Sequence, residues 1–397
     1  MKPGVKRSGT PGWRGKKRLS PLSGRQHLLI PEPSPVSQAL EKLFGSDLGF
    51  RFAPPQALRF RSLRELQTSL NVGYLKRLGV LAILFLCSMT CLAQAPKSDA
   101  PINITVALDG SGQFKSVQEA IMSVPAGSPA QPVVIHIKPG TYKELIYIQH
   151  EKRFFRLVGE DAAKTILTYD LHANMIGSDQ KPIGTFRTPS TLIDADDVSF
   201  ENLTFENSAG PVGQALAIRV DGDRVSFRRC RFLGWQDTIL LNRGRQYFED
   251  CYIAGHVDFI FGAATAWFER CHIHCLKNGY ITAASTYDYQ PFGFVFSHCK
   301  IDGEPEVKTY LGRPWRDFSN VIYLNTEMSD VVRPEGWQNW NLPAREKTAR
   351  YSEYNSKGPG ADLKARVPWS HQLDKNQAKT ITIKKVLGGE DGWNPSK

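Results

Sequence analysis

Four segments of this 397-residue chain repeat one six-residue pattern, Phe-x-x-Cys-x-apolar. They are Phe227-Arg-Arg-Cys230-Arg-Phe232, Phe248-Glu-Asp-Cys251-Tyr-Ile253, Phe268-Glu-Arg-Cys271-His-Ile273 and Phe296-Ser-His-Cys299-Lys-Ile301. Their cysteines are 21, 20 and 28 residues apart, and Phe200-Glu-Asn-Leu203-Thr-Phe205 extends the series upstream with Leu in the Cys position. A chain that returns to the same pattern at this period is built from one small unit stacked on itself. Short β-type runs surround the pattern: Val133 to Ile137, Phe154 to Val158, Val198 to Phe205, Ala215 to Val220, Val225 to Phe227 and Gln246 to Tyr252. One strand in register per repeat of 20–25 residues predicts a parallel β-helix. A leucine-rich repeat would need a Leu-x-x-Leu-x-Leu run that is absent, and a propeller blade needs about twice the period. An antiparallel sandwich would not require this regularity. Helical periodicity is confined to Ser116 to Val124, where Val117, Ala120, Ile121 and Val124 share one face.

Charge divides the chain. The 15 Lys/Arg and 4 Asp/Glu of residues 1–95 account for the whole net charge of +11, and residues 96–397 balance 35 against 35. The basic character therefore gives no reason to expect a nucleic-acid partner for the part that folds. Within the first segment, residues 1–70 read as a disordered or misassigned basic extension. Residues 71–95 read as a signal peptide: Lys76-Arg77, the apolar run Leu78 to Leu86, then Ala93-Gln94-Ala95. Nine apolar residues are too few to span a bilayer, which needs about 20, so no stable membrane insertion is expected. Secretion is, either extracellular or periplasmic, with residues 96–397 forming the working domain. The repeated cysteines read first as stacked core thiols, with a disulfide involving Cys271, Cys275 or Cys299 as the alternative. Zinc is disfavoured, because strand alternation puts His272 and His274 on the opposite face from Cys271. The acid cluster Asp194, Asp196, Asp197 reads as a solvated turn.

Polar residues recur at the same period. Gln214 and Gln236 are 22 apart, and Asp237 and Asp258 are 21 apart. At one coil per step the two carboxylates become neighbours about 4.8 Å apart, too close for both to ionise comfortably. One then serves as nucleophile or base and the other as acid, with the two amides placed to donate to an oxyanion. Asp258 lies among apolar residues in Val257-Asp258-Phe259-Ile260-Phe261-Gly262, so it needs a partner. The candidate is Arg313 in Leu311-Gly312-Arg313-Pro314-Trp315. Trp315, Phe261 and Tyr287 are either core or a platform for sugar rings. There is no Gly-x-Ser-x-Gly, no Walker loop and no spaced histidine ligand set.

These blocks, in order, resemble the pectinesterase family. They are Gly184-Thr185-Phe186-Arg187, Phe205-Glu206-Asn207-Ser208-Ala209-Gly210-Pro211, Gln214 to Arg219, Gly234-Trp235-Gln236-Asp237-Thr238, Gly255 to Gly262 and Leu311 to Trp315. The likeness spans residues 100–395 and departs from the usual pattern at His256 and Ala263. It implies an all-β fold, a right-handed single-stranded parallel β-helix with a short N-terminal helix. It further implies hydrolysis of C6 methyl esters of galacturonate in pectin, giving pectate and methanol. On the resemblance Asp258 is the nucleophile, titrating low, and Asp237 the general acid/base, titrating high. Gln236 and Gln214 stabilise the oxyanion, and Arg313, Trp315, Thr185 and Phe261 bind substrate. No metal and no cofactor are implied, the partner is methylated pectin and the molecule is a monomer. A lyase, a polygalacturonase and a non-catalytic polysaccharide-binding β-helix are the alternatives.

Overall fold

The computed structural model describes residues 100–396, which belong to one compact unit, Gln94–Lys397. The proposed extension and signal peptide lie outside the described residues. Every paired strand runs parallel to its neighbours, in sheets of 11 and 13 strands. The larger sheet is two ladders joined where the long strands Tyr252–Gly262 and His272–Ala284 run through a corner. Each coil thus contributes to three parallel ladders wound about one core, a parallel β-helix. Among the described residues no helix is long and apolar enough to cross a membrane.

The repeated pattern is a corner rather than a strand. Its Phe is the penultimate residue of a strand of the first ladder and its last residue lies in the second ladder, as in Val225–Arg228 followed by Arg231–Leu233. The single strands expected over Val198 to Phe205 and Gln246 to Tyr252 are therefore each two strands, broken at Asn202 and Asp250. The residue before each Cys position carries positive φ: Asn202 54°, Arg229 49°, Asp250 53°, Arg270 51°, His298 52°. This left-handed backbone is costly for any residue with a Cβ. It persists because stacking satisfies it. The Arg229 N–H donates to Glu249 O, Asp250 to Glu269 O, Arg270 to Ser297 O and His298 to Leu324 O.

Inside the corner, like packs on like. Phe200, Phe227, Phe248, Phe268, Phe296 and Tyr323 lie in register. Their rings stack at 4.4–5.0 Å with interplanar angles of 16° or less. Each such contact adds about 0.5–1.5 kcal/mol beyond burial. The final apolar positions form a second column, Phe205, Phe232, Ile253, Ile273, Ile301 and Met328. Cys230, Cys251, Cys271 and Cys299 form a third; these and Cys275 are free and buried. Burial pushes the thiols of Cys230 and Cys271 well up, and that of Cys275 up to about 12. The stacked-thiol reading holds, and the disulfide alternative does not.

The helix is Val117–Met122, capped by the Ser116 hydroxyl accepting from Glu119 N–H and burying Val117, Ala120 and Ile121. At the other end, Lys375–Thr380 and Ile383–Leu387 pack Val386 and Leu387 against Tyr247, Trp267 and Ile322 on the outside of the first ladder. The acid cluster is not a free turn. Asp197 is held by Arg153 and Arg224, Asp194 by Arg243, and Asp196 accepts from the Asp223 N–H. Coil stacking brings arginines 27 to 49 positions away onto these carboxylates, which sequence proximity could not display.

Candidate active site

The strands Ile218–Val220, Ile239–Leu241 and Ile260–Gly262 run side by side in the third ladder, with Ile239 opposite Ile260 and Ile218 opposite Ile239. The polar residues expected to meet all lie just before these strands. Gln214 and Gln236 form an isolated parallel bridge. The 21-residue register carries Asp237 to the position beside Asp258, and the Asp237 N–H donates to Val257 O at 3.0 Å. Both aspartates have positive φ, 62° and 52°. Asp tolerates this conformation better than most residues. At two adjacent positions it marks a backbone strained to aim these side chains outward. Gly262, at φ 126°, closes the same strand, where a Cβ would lie 1.9 Å from Leu241 O.

Arg313 binds Asp258 through two parallel hydrogen bonds, Nε to Oδ1 at 2.9 Å and Nη2 to Oδ2 at 2.6 Å. Its guanidinium lies between the rings of Tyr280 and Trp340, 3.8 and 3.9 Å from their centroids. That sandwich fixes the plane of the fork and excludes water from both faces. Neither aromatic was singled out in the sequence. Tyr280 follows Asp258 by 22 residues, one coil, and that spacing could have found it. Trp340 comes from an irregular segment and carries no periodic signal.

Asp237 has no such fork; the neighbouring Gln236 side chain only weakly opposes the rise of its pKa. Asp237 and Asp258 are only 9% and 6% exposed. Burial raises the Asp237 carboxyl well above its ordinary 3.8, and the nearby charge of Asp258 raises it further. Burial also raises Asp258, while the Arg313 hydrogen bonds and charge oppose the shift. Asp258 is therefore not the low-titrating group the sequence suggested, because desolvation outweighs its fork. The order survives: Asp237 holds its proton more tightly.

Outward from the carboxylates the surface turns apolar. Leu216, Leu240, Phe261 and Ala283 form an outer-face cluster against which Trp315 and Trp340 pack. Phe261 is 4% exposed and meets the edge of Trp315 at 5.8 Å, so it is the floor under Trp315 rather than open binding surface. Thr185 begins the short helix Thr185–Arg187, half-buried, and its neighbour Phe186 stacks on Trp315 at 6.5 Å. Gly184 N–H donates to Ala173 O and Ala173 N–H to Gln214 O, which ties this segment to the same rim. Tyr287 is not core: it is 54% exposed and stacks on Tyr289 at 5.4 Å. The result is an acid pair, one member forked to a cation, beside two amides in an aromatic-walled cleft.

The pectinesterase family profile matches residues 103–390. Pectinesterase 31 of Arabidopsis thaliana is 44% identical over 282 residues, covering 69% of this chain and 89% of that protein. The chain belongs to the pectinesterase family. Among solved structures, the pectin methylesterase from carrot matches with a TM-score of 0.68 at 31% identity, covering 73% of this pectinesterase and 94% of its own chain. A pectin methylesterase variant in complex with a hexasaccharide gives 0.65 at 30% identity, covering 75% and 99%. This pectinesterase is accordingly a carboxylic ester hydrolase on a parallel β-helix.

Proposed function

We propose that this chain is a secreted, monomeric enzyme that removes methyl esters from galacturonate units of pectin, with Asp258 as nucleophile and Asp237 as general acid/base. The observation that carries this reading is the unequal pair: two adjacent buried carboxylates, with the Arg313 fork on one alone. A carboxylate oxygen of ionised Asp258 attacks the ester carbonyl carbon, and the developing oxyanion is met by the amides of Gln214 and Gln236. The tetrahedral intermediate collapses as protonated Asp237 gives its proton to the leaving methoxy oxygen, releasing methanol. Water then attacks the acyl-enzyme, Asp237 takes a proton from it, and Asp258 departs as carboxylate. Trp315 supplies a face for a sugar ring, and a pectin methylesterase of related structure is found in complex with a hexasaccharide.

Incubation with methylated pectin plus EDTA tests this. Methanol rises and pH falls, while reducing ends and ultraviolet absorbance stay flat. New reducing ends would instead indicate a polygalacturonase, unsaturated product a lyase, and no product a binding protein.

Arg313→Lys separates the fork from mere charge. Lysine keeps a cation but loses the two-pronged contact and the sandwich. Asp258, with burial less opposed, titrates higher, so the acid limb of kcat/KM moves to higher pH. The rate at neutral pH falls about 10- to 100-fold, the size of a charge-assisted contact worth roughly 1.5–3 kcal/mol. An unmoved acid limb would show that Arg313 does not hold the ionised form of Asp258.

A further inference from the structure

A second polar cluster stands on the outer face of the second ladder, away from the third ladder that carries the carboxylate pair. His272 and His274 alternate outward from the strand His272–Ala284, and Asp302 lies opposite His274 on Lys300–Gly303. His272 Nε2 and His274 Nδ1 each lie 2.7 Å from the same oxygen, Asp302 Oδ1. The three ligand atoms fall within 4.8 Å of one another.

We propose that His272, His274 and Asp302 form a binding site for a borderline divalent transition metal such as Zn²⁺, unrelated to ester hydrolysis. Two imidazoles and one carboxylate are the donor set such ions prefer, and three protein ligands leave room for water. Metal–ligand bonds of about 2.0–2.2 Å require the three atoms to separate to roughly 3.3 Å. That is a shift of a few tenths of an ångström each for half-buried side chains on strands whose register is fixed.

Glu304 adds an independent indication. Its Oε1 lies 3.2 Å from His274 Nε2, so in the metal-bound form, where the ion takes the place of a proton between Nδ1 and Asp302, Nε2 donates to Glu304 and Nδ1 ligates. A carboxylate behind a metal-bound imidazole is the usual orienting partner. The ring of Tyr252 packs against both imidazoles, at 5.1 Å from His272 and 6.0 Å from His274, and limits their rotation. Lys300 Nζ holds the other Asp302 oxygen at 3.0 Å, leaving Oδ1 for the ion while lowering the affinity by its charge. The cysteines lie in the core on the opposite side of the strand and contribute no sulfur.

Titration of the intact protein with Zn²⁺ tests the site by calorimetry, thermal unfolding and X-ray absorption. One equivalent binds with only nitrogen and oxygen ligands, and Tm rises as zinc clips two coils together. His272→Ala and His274→Ala each weaken binding at least about 10-fold and abolish the rise in Tm, Glu304→Ala weakens it about 10-fold, and Lys300→Ala tightens it. Methanol release is unchanged by zinc removal. Absence of saturable binding, sulfur ligation, or equal affinity in the His272→Ala/His274→Ala double variant would overturn the proposal.

Discussion

With Asp258 as the proposed nucleophile, Asp258→Ala lowers methanol release from methylated pectin by about 10⁴-fold or more, because the group that forms the acyl bond is gone. KM changes little, since the cleft walls of Trp315, Phe186 and Trp340 remain. The change also removes the like charge that raises Asp237 and leaves the Arg313 guanidinium, still sandwiched between Tyr280 and Trp340, without its counter-ion. Initial-rate measurements over a range of pectin concentrations separate the two parameters. A variant that keeps a tenth of normal turnover would remove Asp258 from the nucleophile's role.

Asp237→Asn has two effects of opposite sign. In the general acid/base role proposed for Asp237, an amide cannot protonate departing methanol or deprotonate the incoming water, so kcat falls about 10²- to 10⁴-fold. Stability moves the other way. Burial and the Asp258 charge raise the folded-state affinity of Asp237 for its proton above the ordinary value of 3.8. A carboxyl shifted upward in the fold destabilises progressively as pH climbs from that ordinary value toward the raised one. Asparagine keeps the shape and never ionises, so the variant's Tm exceeds the parent's, little near pH 4 and more near pH 8. Melting curves at both pH values decide the point. A Tm difference independent of pH would mean that Asp237 does not carry the raised proton affinity. This is a trade of stability for activity at one residue.

What the sequence disclosed, and what it hid, follows from coil geometry. The β-helix was legible because its core repeats the same residue in the same slot: Phe200 to Phe296 stand in line and invite counting. The next coil escaped notice because Tyr323, Thr326 and Met328 fill those slots with different residues. The left-handed corners were hidden for a similar reason. Arg229, Arg270 and His298 are not residues that announce positive φ, and only the neighbouring coil supplies their hydrogen bonds. Asp237 and Asp258 could be paired on paper because their coil is regular at 21 residues. His274 and Asp302 pair by the same logic, since the 28-residue step from Cys271 to Cys299 also carries His274 to Asp302; that longer step departs from the 20–25-residue period of the other coils. The wrong direction assigned to Asp258 came from counting its charge partner and omitting the cost of taking a carboxylate out of water.

The column of buried thiols has a consequence for how this enzyme fails. While the coils are closed, Cys230, Cys251, Cys271, Cys275 and Cys299 are shut away from oxidants, and burial keeps the thiols of Cys230, Cys271 and Cys275 poorly ionised. An opened chain in an oxidising medium would expose all five at once and could cross-link them in mismatched combinations, through thiolates that attack any disulfide within reach. The durability of the molecule in such a medium would then be governed by how rarely it opens, a lifetime rather than an equilibrium constant.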